Sequence, residues 1–460
     1  MSSAHALVHI GEPHDLYYTD EKNAMKQSIP VDYNTRYSQD FSNKTAGVSV
    51  FVIPPNQGVR HAVIVLGYNA SSLTAVTGAY ALERGWGYNA IAQVSFRIGG
   101  SSQYFLTGAQ LLARNLRLAR TESQRDSILS LGGQECLFAV GSTPPNGFTQ
   151  YAYIPVSIWA ATGEDELGVP LPTDLLSQQV QITCQLNPSA QFWANSPSFA
   201  GTGGQGSIPA AFDTAYFQIE QFEMKDRGMA LANRVDMNSH MYTMPLPTFD
   251  QQEVVYNLAA SSSTQQIVLT GFRAGEVKKL QIWCTPQSVQ PGGSAYSSAT
   301  ASANPQFWKL PQAVTCLYAG LTYAVYNNGS SQIWNLLDGT SPAAVNQSLL
   351  AVAGTSPYAF TSTPVLNQWV DLPFAQPTGS DYEADVLVHG KEITNGIVNL
   401  QLTLPDTVSA WAVHVVYVYN CSVGFSKGLI AGPCGVKQDT AYSRYAGNSL
   451  EFNLPLITVM

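Results

Sequence analysis

A chain of 460 residues exceeds what one ordinary hydrophobic core organises and suits two domains of roughly 200 residues each. Charged residues make up only 12%, against roughly 25% in a typical soluble domain, and 45% hydrophobic residues exclude a disordered chain. With a net charge of −9 and 22 Lys plus Arg, the chain lacks the basic surface that tracks phosphates, which excludes direct nucleic-acid binding as its main work.

The N-terminal sequence MSSAHALVHIGEPHDLYY has neither a basic n-region nor an apolar h-region, so no secretory signal is expected. Residues 1–45 are polar and weakly patterned and read as an N-terminal arm. His5, His9 and His14 lie there without Cys, Asp or Glu at ligand spacing, so no metal site is assigned. Strands follow: VSVFVI from Val48, VRHAVIVLGY from Val59, and AIAQVSFRIGG from Ala90.

One helical passage interrupts them. Thr107 can cap a segment that puts Leu111, Leu112, Leu116 and Ala119 on one face. Thr121-Glu122-Ser123-Gln124 has capping-box form ahead of Ile128, Leu129 and Leu131, and Gly132-Gly133 ends the segment. The arginines from Arg114 to Arg125 form its polar face.

Strands resume at Cys136–Val140 and Tyr151–Trp159. Then Val180, Ile182, Cys184 and Leu186 alternate with Gln179, Gln181, Thr183 and Gln185, an antiparallel strand with one buried face. Its other face is amide and hydroxyl rather than charged, as suits a strand lying against a neighbour. Asn187–Pro209 reads as a large exposed loop. After a strand at Ala215–Phe222, the prolines of MPLPTFDQQEVV from Met244 predict an extended linker and a domain boundary. The second half repeats the style, with strands at Gln266–Phe272, Val277–Cys284 and Val398–Leu404 and a loop at Pro286–Pro305. Many short strands with long loops predict two β-sandwiches or jelly rolls.

Chemical motifs fail on context. Gly201-Thr202-Gly203-Gly204-Gln205-Gly206 lacks the strand before and helix after that a dinucleotide fingerprint needs. Gly424-Phe425-Ser426-Lys427-Gly428 follows a strand, but Gly432-Pro433 blocks a helix and the last histidine, His414, precedes the serine, against hydrolase order. Glu164-Asp165-Glu166 with Asp174 reads as a solvated acidic turn. Five sequons, at Asn43, Asn69, Asn328, Asn346 and Asn420, say little in an Asn/Ser-rich chain. Six cysteines without a C-x-x-C pair give no zinc spacing: Cys136, Cys184, Cys284 and Cys316 read as buried thiols, and only Cys421 with Cys434 could bridge a loop. No catalytic, cofactor-binding or metal-binding residue is assigned, and no enzyme is expected.

The order of segments resembles one family. AIAQVSFRIGGSSQYFLTGAQLLARNL resembles the Ile-Gly-Gly strand end and short helical pair of double jelly-roll major capsid proteins of eukaryotic DNA viruses, in the lineage of nucleocytoplasmic large DNA viruses, virophages and polinton-like viruses. YAYIPVSIWAATGEDELGVPLPTDLLSQQVQITCQL is similar to their Pro, Trp, Leu-Pro-Leu and Val-x-Ile passage through Pro155, Trp159, Pro170, Leu171, Val180 and Ile182. FQIEQFEMKDRGMALA resembles the close of their first jelly roll, and GFRAGEVKKLQIWCTP, with Lys279 and Trp283, a strand that opens the second. NGIVNLQLTLP and VVYVYNCSVGFSKGLIAG resemble their last strands.

The resemblance implies an all-β fold of two consecutive eight-stranded antiparallel jelly rolls with short helices in the loops, at residues 46–243 and 244–460. It implies a major capsid protein that assembles as a pseudo-hexagonal homotrimer tiling an icosahedral virion shell built in the host cytoplasm. Neighbouring capsomers, minor capsid and penton proteins and an internal membrane on the inner face are the partners it implies, with no direct nucleic-acid contact and no cofactor. The alternating strand at Val180–Leu186 would then face the other jelly roll or the next subunit, and the loops at Asn187–Pro209 and Pro286–Pro305 would form outer towers. A glycan-binding sandwich of lectin or adhesin type is the alternative, since jelly rolls also serve lectins; a polysaccharide-cleaving enzyme is third.

Overall fold

The structure, a computed structural model, describes residues 31–55, 58–74, 80–82, 84–98, 104–118, 122–134, 136–138, 149–156, 173, 179–189, 192–195, 208–224, 241–245, 251–272, 275–287, 308–327, 345–353, 356–365, 370–374, 391–419, 422–426 and 429–433. Sixteen strands carry the architecture. In the first half they are β1 (Val31–Asp40), β2 (Gly47–Ile53), β3 (Gly58–Tyr68), β4 (Ile91–Ile98), β5 (Tyr104–Thr107), β6 (Gln150–Pro155), β7 (Val180–Leu186) and β8 (Thr214–Met224). In the second half they are β9 (Gln251–Leu258), β10 (Gln265–Val268), β11 (Gly275–Pro286), β12 (Ala313–Tyr318), β13 (Leu321–Asn327), β14 (Val370–Pro373), β15 (Val398–Thr403) and β16 (Trp411–Tyr419).

The first eight form two antiparallel sheets in the orders β1-β8-β3-β6 and β2-β7-β4-β5. The second eight form sheets in the orders β9-β16-β11-β14 and β10-β15-β12-β13, with Lys391–Ile393 pairing the start of β11. Adding eight to every label of the first half reproduces the second. Each half is thus the same eight-stranded sandwich, with the long crossings between sheets that define a jelly roll.

Alternation builds each sandwich. In β7, Val180, Ile182, Cys184 and Leu186 are buried while Gln181 and Thr183 are half-buried and Gln185 is exposed. In β15, Val398, Leu400 and Leu402 are buried opposite half-buried Asn399, Gln401 and Thr403. A one-residue slip would turn either apolar row to the wrong face, so these patterns fix register as well as fold. One hydrophobic cluster gathers Phe51, Ile64, Leu66, Val94, Ile182 and Phe217 in the first half. A second gathers Leu280, Ile282, Val314, Leu400, Val413 and Val415.

Between β5 and β6 the first half carries the helical pair α2 (Gly108–Leu118) and α3 (Glu122–Leu131), with a shorter α1 (Trp86–Ala90) just before β4. Thr107 and Gln110 form the reciprocal cap: the Thr107 N–H donates to Gln110 Oε1 at 2.8 Å and the Gln110 N–H to Thr107 Oγ1 at 3.3 Å. Leu111, Leu112 and Leu116 are buried beneath it. The Gly132 N–H donates to Ile128 O at the end of α3, and Gly133 takes φ +123° directly against the Trp86 indole, where any side chain would collide. Replacing Thr107 by Ala is expected to cost about 1 kcal/mol in denaturant unfolding, through the lost cap.

Three expectations need correction. The segment read as an arm to residue 45 contains β1, which pairs along its length with β8 and delivers buried Phe41 to the core. Arg36, Tyr37, Ser38 and Asp40 are exposed because β1 is an edge strand, which removes the alternation a reader looks for. The segment read as a large exposed loop buries Phe192 and Trp193. Trp193–Asn195 pairs with Tyr80–Leu82, which also pairs with Cys136–Phe138. Rings of Tyr68, Trp86, Phe192 and Phe212 surround that site at centroid separations of 4.9–6.1 Å, so the aromatics outweigh the Gly/Ser/Pro composition. The proline-containing linker is itself paired: Met241–Pro245 lies antiparallel to Ser422–Ser426.

Candidate functional site

The two jelly rolls meet on one face of the second. On the outward face of β9-β16-β11-β14, Gln281, Trp283, Thr285, Ala412, His414 and Val416 are all at most 1% exposed. Trp283, Trp308 and Val416 belong to the hydrophobic cluster of the first roll, so that cluster spans the junction. The Trp308 ring stacks on Trp283 at 5.1 Å and the His414 ring lies on Trp283 at 5.2 Å with 6° between planes.

Polar groups inside this junction are chained together. His414 Nδ1 donates to Glu253 Oε1 at 2.5 Å, and the Thr285 hydroxyl lies 2.8 Å from His414 Nε2. The Thr107 hydroxyl, at the start of α2 in the first roll, donates to Glu253 Oε2 at 3.3 Å. One carboxylate therefore accepts from both rolls. Glu, His and Thr in series superficially resemble a charge relay, but Thr285 is 0% and His414 1% exposed, so no substrate reaches the hydroxyl. The cluster is a structural latch. Charge buried without such partners would cost several kcal/mol.

The outward faces of the two remaining sheets are different. On β2-β7-β4-β5, register places Val48, Gln185, Gln93 and Thr107 in one row, Val50, Thr183, Ser95 and Phe105 in the next, and Val52, Gln181 and Arg97 in a third. On β10-β15-β12-β13 the matching row is Gln266, Gln401, Thr315 and Val325, flanked by Val268, Asn399 and Leu317. Arg97 is the one charge among these residues. Val48, Val50, Phe105, Val268 and Val325 are each 47–53% exposed. Of the two neighbours expected for the amide face of β7, the other jelly roll or the next subunit, the other jelly roll does not cover it at Val48, Val50 and Gln185. Within one chain the β2 side of that face is open, while its β5 edge meets the second roll at Thr107.

Most chemical decoys fall outside the described residues: the glycine-rich run at 201–206, the acidic turn at 164–166 with Asp174, the three N-terminal histidines, the Cys421–Cys434 pair and the greater part of the 286–305 loop. Gly424, Phe425 and Ser426 of the G-x-S-x-G run lie on strand Ser422–Ser426, which pairs with the next strand, Leu429–Pro433, rather than leading into a helix. Among the described residues no group of three His, Cys, Asp or Glu is placed to hold a metal, and no helix is long and apolar enough to cross a membrane. Asn43 of the first sequon spends its side chain on its own turn, accepting from the Thr45 N–H at 2.9 Å and hydroxyl at 2.7 Å.

Cys136, Cys184, Cys284 and Cys316 are free thiols. Burial pushes the Cys136 thiol up to about 11 and Cys316 to about 12, and it raises Cys184 and Cys284 further. Because the thiolate is the nucleophile, Cys184 and Cys284 are expected to stay unlabelled by iodoacetamide in the folded protein at mildly alkaline pH and to label fully in denaturant, read by peptide mass spectrometry.

No protein-family model matches the sequence, and no curated protein matches it. Solved structures do. The Faustovirus major capsid protein superposes with a TM-score of 0.56 at 8% identity, covering 87% of this chain and 91% of that one. A chain of the Sputnik virophage, solved by cryo-EM, gives 0.55 at 11% identity over 94% and 93%. The PBCV-1 virus capsid gives 0.52 at 15% identity over 88% of this chain and 98% of that one. The chain has the double jelly-roll fold. Its duplicated wiring extends over nearly the full length of these capsid chains, so the likeness is to the whole double jelly roll and not to one half. Trp283, singled out in sequence, sits at the centre of the double jelly roll's internal junction. Glu253 gave no sequence signal, and Thr107 was legible only as a helix cap. His414 did give one, as the one histidine in the apolar run Trp411–Tyr419, where a buried imidazole must find partners.

Proposed function

We propose that this double jelly roll is the major capsid protein of an icosahedral DNA virus of eukaryotes, and that it works as a homotrimer tiling the virion shell. The observation that carries the reading is the duplication: two rolls of identical wiring stand against each other in one chain, so three copies present six similar blocks and pack as a hexagon does. The solved chains of the same fold come from a capsid, a virophage and a major capsid protein, which supports the reading. The charge-poor outward faces of β2-β7-β4-β5, where Arg97 is the one charge in the rows described, and β10-β15-β12-β13 support it too, because interface cores are depleted in charge and Gln and Thr desolvate at lower cost than carboxylates or ammonium groups.

The first roll runs through residues 46–243, joined by β1 from the preceding segment, and the second through 244–460. Neighbouring capsomers and minor capsid and penton proteins are the partners, with an internal membrane beneath the shell. The chain acts as a building block rather than an enzyme. Multi-angle light scattering of the purified chain is expected to give three times the 49.6 kDa chain mass at micromolar concentration. A mass of one chain across salt and pH would refute the reading. A glycan array with saturable binding by the purified chain would favour the lectin-type alternative.

A further inference from the structure

The four sandwich sheets have their edges at β1 and β6, β2 and β5, β9 and β14, and β10 and β13. An edge strand presents unpaired N–H and C=O groups, and natural proteins blunt it by shortness, charge, proline or a bulge. All of these edges but one carry such a device. β5, β10 and β14 have four residues each. β1 carries Arg36 and Asp40, β9 carries Glu253, β6 ends in Pro155, and β13 is bulged against β12 between Cys316 and Leu317.

β2 has none of them. Its seven residues pair with β7 in one unbroken register, and Val48–Ile53 reads VSVFVI, without charge or proline. Val48 is 51% and Val50 48% exposed, while Phe51 and Ile53 are buried. A bare run of this β-branched and aromatic composition is a template for further strand pairing. In antiparallel pairing alternate residues direct their N–H and C=O groups at the partner, so about half of the β2 backbone groups face away from β7. Among the described residues no strand receives them.

One stretch of the sequence fits that edge. Residues 434–460 lie outside the described residues, and 450–460 read LEFNLPLITVM, in which Leu450, Phe452, Leu454 and Leu456 alternate with Glu451, Asn453, Pro455 and Ile457. Ile457, Thr458 and Val459 are β-branched, as a pairing strand favours. Glu451 and Pro455 are the devices that β2 lacks, so a strand added there would leave a blunted edge in place of a bare one. Strand Leu429–Pro433 belongs to the sheet that contains Met241–Pro245, in the connection between the rolls. From Pro433, residues 434–449 span up to roughly 55 Å when extended, more than the roughly 40 Å across a 200-residue domain.

We propose that residues 450–460 add to the edge of β2 in their own copy, as a fifth strand of the sheet β2-β7-β4-β5. Main-chain hydrogen bonds supply the affinity, as in other cases of strand addition. The tether supplies a high effective concentration, which favours the same copy over a second one. The inference concerns a single chain and stands apart from the capsid reading.

The test is hydrogen exchange by mass spectrometry on the purified full-length chain and on a variant lacking residues 450–460. In the full-length chain the peptide covering β2 should be protected throughout. In the shortened variant about half of its amides should exchange at least ~100-fold faster, with the central strand β7 unchanged. Leu456→Asp in the full-length chain should act in the same way, and it decides the matter if the shortened variant loses protection in β7 and so has misfolded. Rapid exchange at half of the β2 amides in the unaltered chain would show a bare edge and overturn the proposal. Protection that survives loss of residues 450–460 would also overturn it, and its decline on dilution would identify a second copy as the cover. Protection that needs residues 450–460 but fades when the full-length chain is diluted would overturn the assignment to the same copy.

Discussion

Replacing Trp283 by Ala is expected to destabilise the protein by about 3–5 kcal/mol, the usual cost of truncating a fully buried Trp. The residue is 0% exposed, carries Trp308 on one contact and His414 on another, and belongs to a cluster drawn mainly from the first roll while sitting on a strand of the second. Its loss removes packing where two otherwise separate cores are joined. Denaturant unfolding followed by circular dichroism should therefore show both a lower midpoint and a separation into two transitions, one for each roll. Trp283→Phe keeps a ring against His414 and should retain a single transition. An unchanged midpoint in the alanine variant would mean that the rolls are held together elsewhere.

Glu253→Ala is the second large effect, on the order of 3 kcal/mol. The substitution strands three groups together: His414 Nδ1 loses its 2.5 Å acceptor, Thr285 keeps a ring no longer fixed in orientation, and the Thr107 hydroxyl loses its partner across the junction. Removing one member of a buried polar chain leaves the others desolvated and unpaired, which costs more than the net worth of the chain itself. Glu253→Gln retains an amide oxygen that can accept from His414, so it should recover much of the loss. Equal destabilisation by the alanine and glutamine variants would indicate that charge, and not hydrogen bonding, holds the site.

Much of this architecture was legible because two periods dominate the chain. Strict alternation at Val180–Leu186 and Val398–Thr403 identified central strands with their buried faces, and Thr107 announced a helix start, which the structure reproduces with Gln110 as its reciprocal partner. What stayed hidden follows from the same physics. β1 is an edge strand exposed on both sides, so its sequence carries no alternation to read. Phe192 and Trp193 sit in a stretch whose Gly, Ser and Pro content says loop, yet they pack with Tyr68, Trp86 and Phe212, which are distant in sequence. The junction was hidden for a further reason. Glu253 and His414 lie 161 residues apart and meet only when β9 pairs with β16, and Thr107, 146 residues from Glu253, reaches them only when one roll docks on the other. Neither local propensity nor spacing encodes that encounter. The amide face of β7 was read correctly as an uncharged surface, but its cover could not be: the second roll sits on a different edge and leaves Val48, Val50 and Gln185 open.

Cryo-EM of the purified chain is the most direct measurement. The account predicts particles with threefold symmetry and a hexagonal outline, made of six upright sandwiches from three chains, with alternate contacts inside and between chains. Single chains with only one pair of packed sheets, or a parallel core wrapped by helices, would contradict it.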